Sequence, residues 1–124
     1  MGRLEEKISG SELEIMKVLW EAEGALPLTD IRQKLQAYLD WGDTTVKTLL
    51  RRLCEKGAVG QEKRNVFYYR ALVSRDEYSG WAAKNLVDKL FRGRASELVT
   101  ALVKSDGLSE NDLKELREMF RVEE

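Results

Sequence analysis

The N-terminal part of the chain places apolar residues at the three- and four-residue spacing of an amphipathic helix. The apolar positions of this first segment are Leu13, Ile15, Met16, Leu19 and Trp20. Ser11 and Glu14 match the capping-box pattern and Gly24 is a stop signal, so we predict a helix over residues 11–23.

Two further helices are predicted before residue 57. An extended segment at Leu26 and Pro27 leads to the second, which the Thr29 hydroxyl should cap. Its buried stripe is Ile31, Leu35 and Leu39. The third helix is expected over residues 44–56, with Asp43 as its cap. Its core-facing positions fall at i, i+3, i+4 and i+7, namely Val46, Leu49, Leu50 and Leu53.

The pattern changes after Gly57, which stands where a left-handed residue commonly ends a helix. We predict strands over residues 58–62 and 66–72, because both are rich in Val, Phe and Tyr. Residues 63–65 should form the hairpin tip, with Asn65 tolerating a turn conformation. A hairpin after three helices is the order of a winged helix-turn-helix domain, whose wing is this tip.

The last part of the chain predicts three more helices, over residues 75–92 and 96–104 and after Ser109. Ser74 caps the first of them and Gly93 ends it, while Ser109 and Asp112 cap the last.

We therefore expect a mainly α (α+β) fold, with a winged helix-turn-helix domain at residues 1–74 and a helical dimerisation domain at residues 75–124. About fifty residues are few for an independent core, so these helices should bury their apolar faces against a second copy of the chain. The residues that we assign to this homodimer interface are Tyr78, Trp81, Leu86, Leu90, Leu98, Leu102, Leu113, Leu116 and Phe120.

Composition argues against an enzyme. The chain has no histidine and a single cysteine, Cys54, which removes serine triads, cysteine–histidine pairs and nearly all zinc sites. It also lacks a glycine-rich phosphate loop, and we expect no metal and no cofactor. The charged N-terminus does not resemble a secretion signal, and no apolar run approaches a membrane span. We therefore expect a cytoplasmic protein without membrane contact, and interpret Cys54 as a small apolar filler.

The net charge of −1 conceals a basic segment. Residues 41–75 contain eight Lys and Arg against three Asp and Glu, a local charge of +5. Such a patch favours phosphate binding whatever the overall charge. The residues that we expect to contact double-stranded DNA are Thr44, Thr45, Lys47, Thr48 and Arg51 on the third helix, and Lys63 and Arg64 on the wing.

Other interpretations fit the same residues. A solvated helix face and an ordinary polar turn explain each group taken alone. The main alternative function is a winged-helix module that binds another protein and no DNA. A sensor with a small-molecule site between head and tail is a further candidate, and a hydrolase or transferase is a remote one.

Four runs of the sequence are similar to a known family: ISGSELEIMKVLWEAEG, WGDTTVKTLLRRLCEKGAVG, FYYRALVSRDEY and LSENDLKELREMF. They resemble the bacterial penicillinase and methicillin-resistance repressors, which together with the copper-transport repressors form the BlaI/MecI/CopY family. The resemblance covers nearly the whole chain. It implies a winged-helix head, a helical dimerisation tail, and repression by binding a pseudo-palindromic operator.

Three departures limit what the resemblance implies. Many members open the recognition helix with Ser-Pro, where this chain has Gly42 and Asp43. The resistance repressors are cleaved in the tail at an Asn-Phe pair, whereas the matching positions here are Ala101 and Leu102, so no regulatory protease is assigned. The copper-responsive members carry paired cysteines near the C-terminus, which this tail lacks.

Overall fold

A computed structural model describes residues 8–121 of the chain. Across these residues the elements are α1 Gly10–Glu21, β1 Leu26–Pro27, α2 Leu28–Leu35, α3 Asp43–Glu55, β2 Val59–Lys63, β3 Phe67–Ala71, α4 Arg75–Phe91, α5 Ala95–Lys104 and α6 Glu110–Arg121. The fold is mainly helical with a small antiparallel sheet, which confirms the predicted class. No helix within residues 8–121 combines the length and apolar character needed to cross a bilayer.

The described residues divide into two compact units, the first ending at Ala82 and the second beginning at Ala83. This boundary falls two turns inside α4, whereas the domain boundary expected from sequence, after residue 74, coincides with the start of that helix. The helix therefore contributes to both units.

The first unit has one hydrophobic core, formed by α1, α2, α3 and the start of β2. Its buried apolar residues are Ile15, Met16, Val18, Leu19, Ile31, Leu35, Val46, Leu49, Leu50, Leu53, Ala58 and Val59. The predicted stripe of α3 lies in this core without exception, since all four of its residues are at most 6% exposed. This burial fixes which side of α3 remains available to solvent.

The sheet has three strands in the order β1-β3-β2, all antiparallel. The extended conformation expected at Leu26 and Pro27 is confirmed, but the pair also forms a strand, which the sequence prediction missed. Leu26 lies opposite Tyr69 and Pro27 opposite Tyr68. The two wing strands therefore do not stand alone, because β1 connects them to the start of α2.

Helix α1 begins at Gly10, one residue earlier than predicted. Its N-cap is Ser9, whose hydroxyl accepts a hydrogen bond from the Glu12 amide at 3.1 Å, while the Glu12 carboxylate accepts one from the Ser9 amide at 3.0 Å. The predicted pair, Ser11 and Glu14, was wrong. Glu12 is only 2% exposed and also forms an ion pair with Lys56 at the end of α3.

The predicted caps of α2 and α3 were also wrong. The N-cap of α2 is Pro27, which forms no side-chain capping bond and leaves Thr29 inside the first turn. The N-cap of α3 is Gly42, in an extended conformation, so Asp43 is the first residue of the helix rather than its cap.

The predicted ends of α3 and α4 are confirmed by backbone geometry. Gly57 has a φ of +83° and Gly93 a φ of +81°, left-handed conformations that glycine adopts without steric strain. The start of α4 is confirmed too, because Ser74 and Glu77 exchange hydrogen bonds of 3.0 Å between side chain and backbone. The predicted cap of α6 forms the same pattern, with Ser109 and Asp112.

The second unit contains the rest of α4 together with α5 and α6. None of the side chains described between residues 83 and 118 is buried. Several large apolar side chains are instead open to solvent, namely Leu86, Leu90, Leu102 and Val103. A single copy of this unit therefore leaves much of its apolar surface in water.

Candidate nucleic-acid interface

The polar side of α3 is a row of side chains opposite the buried stripe. Thr44, Thr45, Lys47 and Arg51 are exposed, and Thr48 is half-buried. Because Val46 and Leu50 are at most 1% exposed, the helix cannot turn this row inward without removing its own core contacts. This side of α3 therefore faces solvent, with Thr48 partly covered.

Within the row, Arg51 forms an ion pair with Glu55 one turn later, at 3.3 Å. Both side chains are more than 60% exposed, so the pair is weak and can exchange for another partner. Lys47 lies one turn before Arg51 on the same side of the helix. Two cations therefore project from one face of α3.

A cleft of about 460 Å³ connects α3 to the wing. Lys47 lines it from α3 and Lys63 from the end of β2. The remaining lining residues are Pro27, Leu28, Thr29, Asn65, Val66, Phe67 and Tyr69. The structure thus brings Lys47 and Lys63, which are distant in sequence, to the same cleft.

The two wing cations lie over aromatic rings. The Lys63 Nζ atom is 5.1 Å from the centroid of Phe67, its cross-strand neighbour, and the Arg64 guanidinium carbon is 4.3 Å from the centroid of Tyr68. Successive side chains of a strand point to opposite faces, so Phe67 and Tyr68 place the two cations on opposite sides of the hairpin. Arg64 also pairs with Glu62 at 3.3 Å, and does not line the cleft.

The wing tip is closed by hydrogen bonds of its own. The Arg64 amide donates to the Val66 carbonyl at 2.9 Å, and the Val66 amide donates to Asn65 Oδ1 at 3.0 Å. Asn65 stabilises the turn in this way, without the left-handed backbone that its residue type would tolerate.

An ion pair joins the first residue of α3 to α2. The Arg32 Nε atom contacts a carboxylate oxygen of Asp43, whose side chain is 59% exposed. Sequence reasoning missed Arg32, because no local pattern links residues eleven positions apart in two helices. An acidic side chain therefore lies at the N-terminal end of α3, next to the polar row, and is paired with α2.

An aromatic row connects α1 to the beginning of α4. The ring centroids of Trp20 and Tyr78 are 5.8 Å apart, and those of Tyr78 and Trp81 are 6.3 Å apart. The Trp20 indole donates a hydrogen bond to the Val73 carbonyl at 2.7 Å, and the Arg75 guanidinium lies over the same indole. Trp20 and Trp81 are packing residues, as their size suggests.

Cys54 lies at the edge of the core, half-buried, with its Sγ atom 3.9 Å from Gln61 Oε1. Burial raises the pKa of its thiol, and the nearby Glu55 carboxylate raises it further. Burial also raises the pKa of Tyr69, which packs against the same core. Both groups stay neutral, which agrees with the interpretation of Cys54 as an apolar filler.

The residues assigned to a dimer interface lie in different environments. Leu86, Leu90 and Leu102 are exposed, with Leu90 at 67%, and the others described are half-buried, namely Tyr78, Trp81, Leu98, Leu113 and Leu116. The side chain of Phe120 lies outside the described residues. Tyr78 and Trp81 belong to the first unit, where they pack in the aromatic row.

Comparison with known proteins shows which family the sequence matches. Residues 8–121 match the family model described as penicillinase repressor. The methicillin resistance regulatory protein MecI of Staphylococcus aureus is 32% identical over 115 residues, covering 92% of this chain and 93% of that protein. The penicillinase repressor of Bacillus licheniformis is 27% identical over 115 residues, covering 92% of this chain and 89% of that protein.

Solved structures are similar to part of the chain. The solution structure of the DNA-binding domain of the repressor BlaI matches with a TM-score of 0.52 and 33% identity, over 58% of this chain and 88% of that domain. The monomeric form of Bacillus licheniformis BlaI in complex with the blaP half-operator matches with a TM-score of 0.51 and 33% identity, with the same coverage. The chain therefore belongs to the penicillinase repressor family of DNA-binding transcriptional repressors.

Proposed function

We propose that two copies of this chain bind a pseudo-palindromic operator and repress transcription by occluding the promoter. Each α3 enters a major groove and each wing contacts the adjacent backbone or minor groove. The observation that carries this proposal is the polar row of α3, held outward by a fully buried stripe on the opposite side. We place the protein in the cytoplasm, where it has access to DNA.

The residue types of the row suit a major groove. The N-terminal residues of a recognition helix reach base edges, and a threonine methyl group packs against a thymine methyl group. Lys47 and Arg51 are one turn apart, so one can hold a phosphate while the other reaches a base. Lys63 adds a second phosphate contact from the other side of the cleft that it shares with Lys47.

Dimerisation is supported by the second unit, which leaves Leu86 and Leu90 in water within a single copy. A second copy is the simplest cover for these faces, and twofold symmetry then matches an operator of two similar halves. BlaI was solved in monomeric form on a half-operator, which is consistent with one head for each half-site. We expect half-sites separated by about one helical turn or a simple multiple of it.

Salt dependence provides the first test. The full-length chain should bind random duplex DNA at low salt and release it as salt rises, because Lys and Arg displace counterions from phosphates. Replacing Lys63 and Arg64 together by alanine should lower the slope of log K against log salt by about 2 for each bound copy, one for each lost phosphate contact, and so by about 4 for the proposed dimer.

The matched control replaces Lys17 and Lys84 by alanine, which removes the same charge from exposed positions outside the proposed interface. This control should leave the slope unchanged. An unchanged slope in the wing variant would remove the wing from the proposal. Absence of DNA binding at every salt concentration would reject the proposal itself and favour a protein-association module.

Arg51 tests whether α3 reads bases. If it contacts a base edge, Arg51→Ala should weaken binding to the preferred operator by about 1–3 kcal/mol while changing binding to random DNA much less. Arg52→Ala is the matched control, because Arg52 is the adjacent exposed cation and lies about a quarter turn away around the helix. Equal weakening on all sequences would make Arg51 a phosphate contact only.

A further inference from the structure

The leading turn of α3 carries an acidic side chain where a phosphate-binding surface is expected. Asp43 is the first residue of the helix and precedes Thr44 and Thr45, both exposed. Its side chain is 59% exposed, so the carboxylate reaches solvent while one of its oxygens contacts Arg32 of α2. An acid at this position repels DNA phosphates, so a favourable contact with DNA must come from a hydrogen-bond donor on a base edge.

Few donors are available to a carboxylate in the major groove. Guanine presents only acceptors there, at N7 and O6, and thymine presents the O4 acceptor with a methyl group. Adenine has an amino group at N6, but the adjacent N7 acceptor repels a second carboxylate oxygen. Cytosine presents its N4 amino group without a neighbouring acceptor, and is the base that a carboxylate suits best.

We propose that Asp43 is a specificity-determining residue, which selects cytosine at one position of each half-site by accepting a hydrogen bond from the N4 amino group. This inference rests on the proposed function, because it requires the leading turn of α3 to lie in the major groove.

Arg32 is the positioning residue for this contact. Its Nε atom is shielded from water and forms an ion pair with one oxygen of the Asp43 carboxylate, without the geometry of a hydrogen bond. The pair keeps the carboxylate beside α2. The guanidinium also offsets the negative charge that phosphates would otherwise meet at this end of the helix. A carboxylate that is held in place, with its charge offset by the Arg32 guanidinium, can discriminate between bases with a smaller loss of affinity for DNA in general.

The experiment selects a preferred site from a random duplex library with the full-length chain, and then measures Kd for all four bases at every position. We expect one position in each half-site where cytosine binds about five- to tenfold more tightly than guanine or thymine, the lower end of the discrimination that a good base contact gives. Asp43→Ala should reduce this preference to less than about twofold, with the preferences at other positions unchanged.

Two variants separate base reading from a general charge effect. Asp40→Ala removes an acid from the exposed segment just before α3, and should shift all Kd values equally without changing any base preference. Asp43→Asn should move the preference at the same position towards adenine, because an amide both donates and accepts.

Arg32→Ala should weaken the cytosine preference at that position alone, and the double variant with Asp43→Ala should show no further loss. Urea unfolding and the preferences at other positions report separately on whether α2 and α3 remain packed.

The outcomes are distinguishable. If the wild-type chain binds no duplex at any salt concentration, the repressor assignment fails and this inference fails with it. If the wild-type chain binds a defined site but Asp43→Ala has the same base preferences, or shifts all sequences equally, the inference alone is overturned. Loss of the cytosine preference in Asp43→Ala, retained in Asp40→Ala, supports it.

Discussion

At the scale of single residues, Glu12 shows how one carboxylate can join two distant parts of the chain. It is 2% exposed, accepts a hydrogen bond from the Ser9 amide, and forms an ion pair with Lys56 from the far end of α3. Its burial is tolerable because these contacts replace the water that it loses. The start of α1 and the end of α3 are thereby held together.

We predict that Glu12→Ala lowers the free energy of unfolding by about 2–3 kcal/mol, because it removes both the cap and a nearly buried partner of Lys56. Urea denaturation of the full-length chain measures this. Glu55→Ala is the matched control, since it removes an acid whose pair with Arg51 is more than 60% exposed on both sides, and it should cost about 0.5 kcal/mol or less. Equal effects would show that burial of Glu12 contributes nothing.

Cys54 provides a prediction on pH. Burial raises the pKa of its thiol, so at pH 8 the folded chain should react with iodoacetamide more slowly than the chain unfolded in urea. The same shift in pKa affects stability. The thiol of the unfolded chain ionises first as the pH rises, so the free energy of unfolding falls above the ordinary pKa of a thiol. Alkylation followed by mass spectrometry tests this, and equal rates in the two states would contradict it.

At the scale of elements, the helix ends follow local backbone rules that single substitutions can probe. Gly57→Ala should destabilise the protein by about 1–2 kcal/mol, because its φ of +83° forces a Cβ atom against the following carbonyl. Gly80→Ala should instead stabilise it by up to about 1 kcal/mol, because Gly80 lies within α4 and a Cβ atom there meets open space. Urea unfolding of both variants compares the signs, and the same sign for both would refute the assignment.

The sequence predicted the helices and strands because their hydrophobic periodicity depends only on residues that are close in the chain. It predicted the stripe of α3, the helix ends at Gly57 and Gly93, and the cap at Ser74, all of which depend on contacts within a few residues. The polar row of α3 followed directly, since the residues opposite a buried stripe must face outward.

Sequence reasoning missed the features that depend on contacts between residues far apart in the chain. Ser9 with Glu12 and Ser11 with Glu14 fit the capping box equally well, and the choice is made by Lys56, forty-four positions away from Glu12. The strand at Leu26 likewise depends on pairing with Tyr69, and Asp43 pairs with Arg32 instead of capping its helix. A local pattern cannot contain these partners.

At the scale of the whole molecule, the second unit differs from the first in what it encloses. The first unit buries a dozen apolar residues, whereas none of the side chains described between residues 83 and 118 is buried. Large exposed apolar patches mark association surfaces in soluble proteins, and the exposed leucines of the second unit are the residues from which we expect such a patch. We therefore expect dimerisation to stabilise the second unit as well as to allow operator binding.

We predict that Leu90→Asp converts the dimer into a monomer at micromolar concentration, because Leu90 is 67% exposed in one copy and a charge there would be buried without a partner in two. Sedimentation velocity measures the change. The variant should still bind an isolated half-site while losing tight binding to the full operator. Lys89→Asp is the matched control on the preceding exposed residue, and dissociation by it alone, or a wild-type chain that is already monomeric, would contradict the interface.

The stacking of Lys63 on Phe67 and of Arg64 on Tyr68 has a consequence for how the wing meets DNA. Lysine and arginine side chains that move freely lose rotational entropy when a phosphate immobilises them. On this wing the two side chains already lose much of their rotational freedom when the hairpin folds, because each cation packs against an aromatic ring. In the proposed complex, binding of a duplex then requires less new order, and the aromatic residues add to affinity without contacting the nucleic acid.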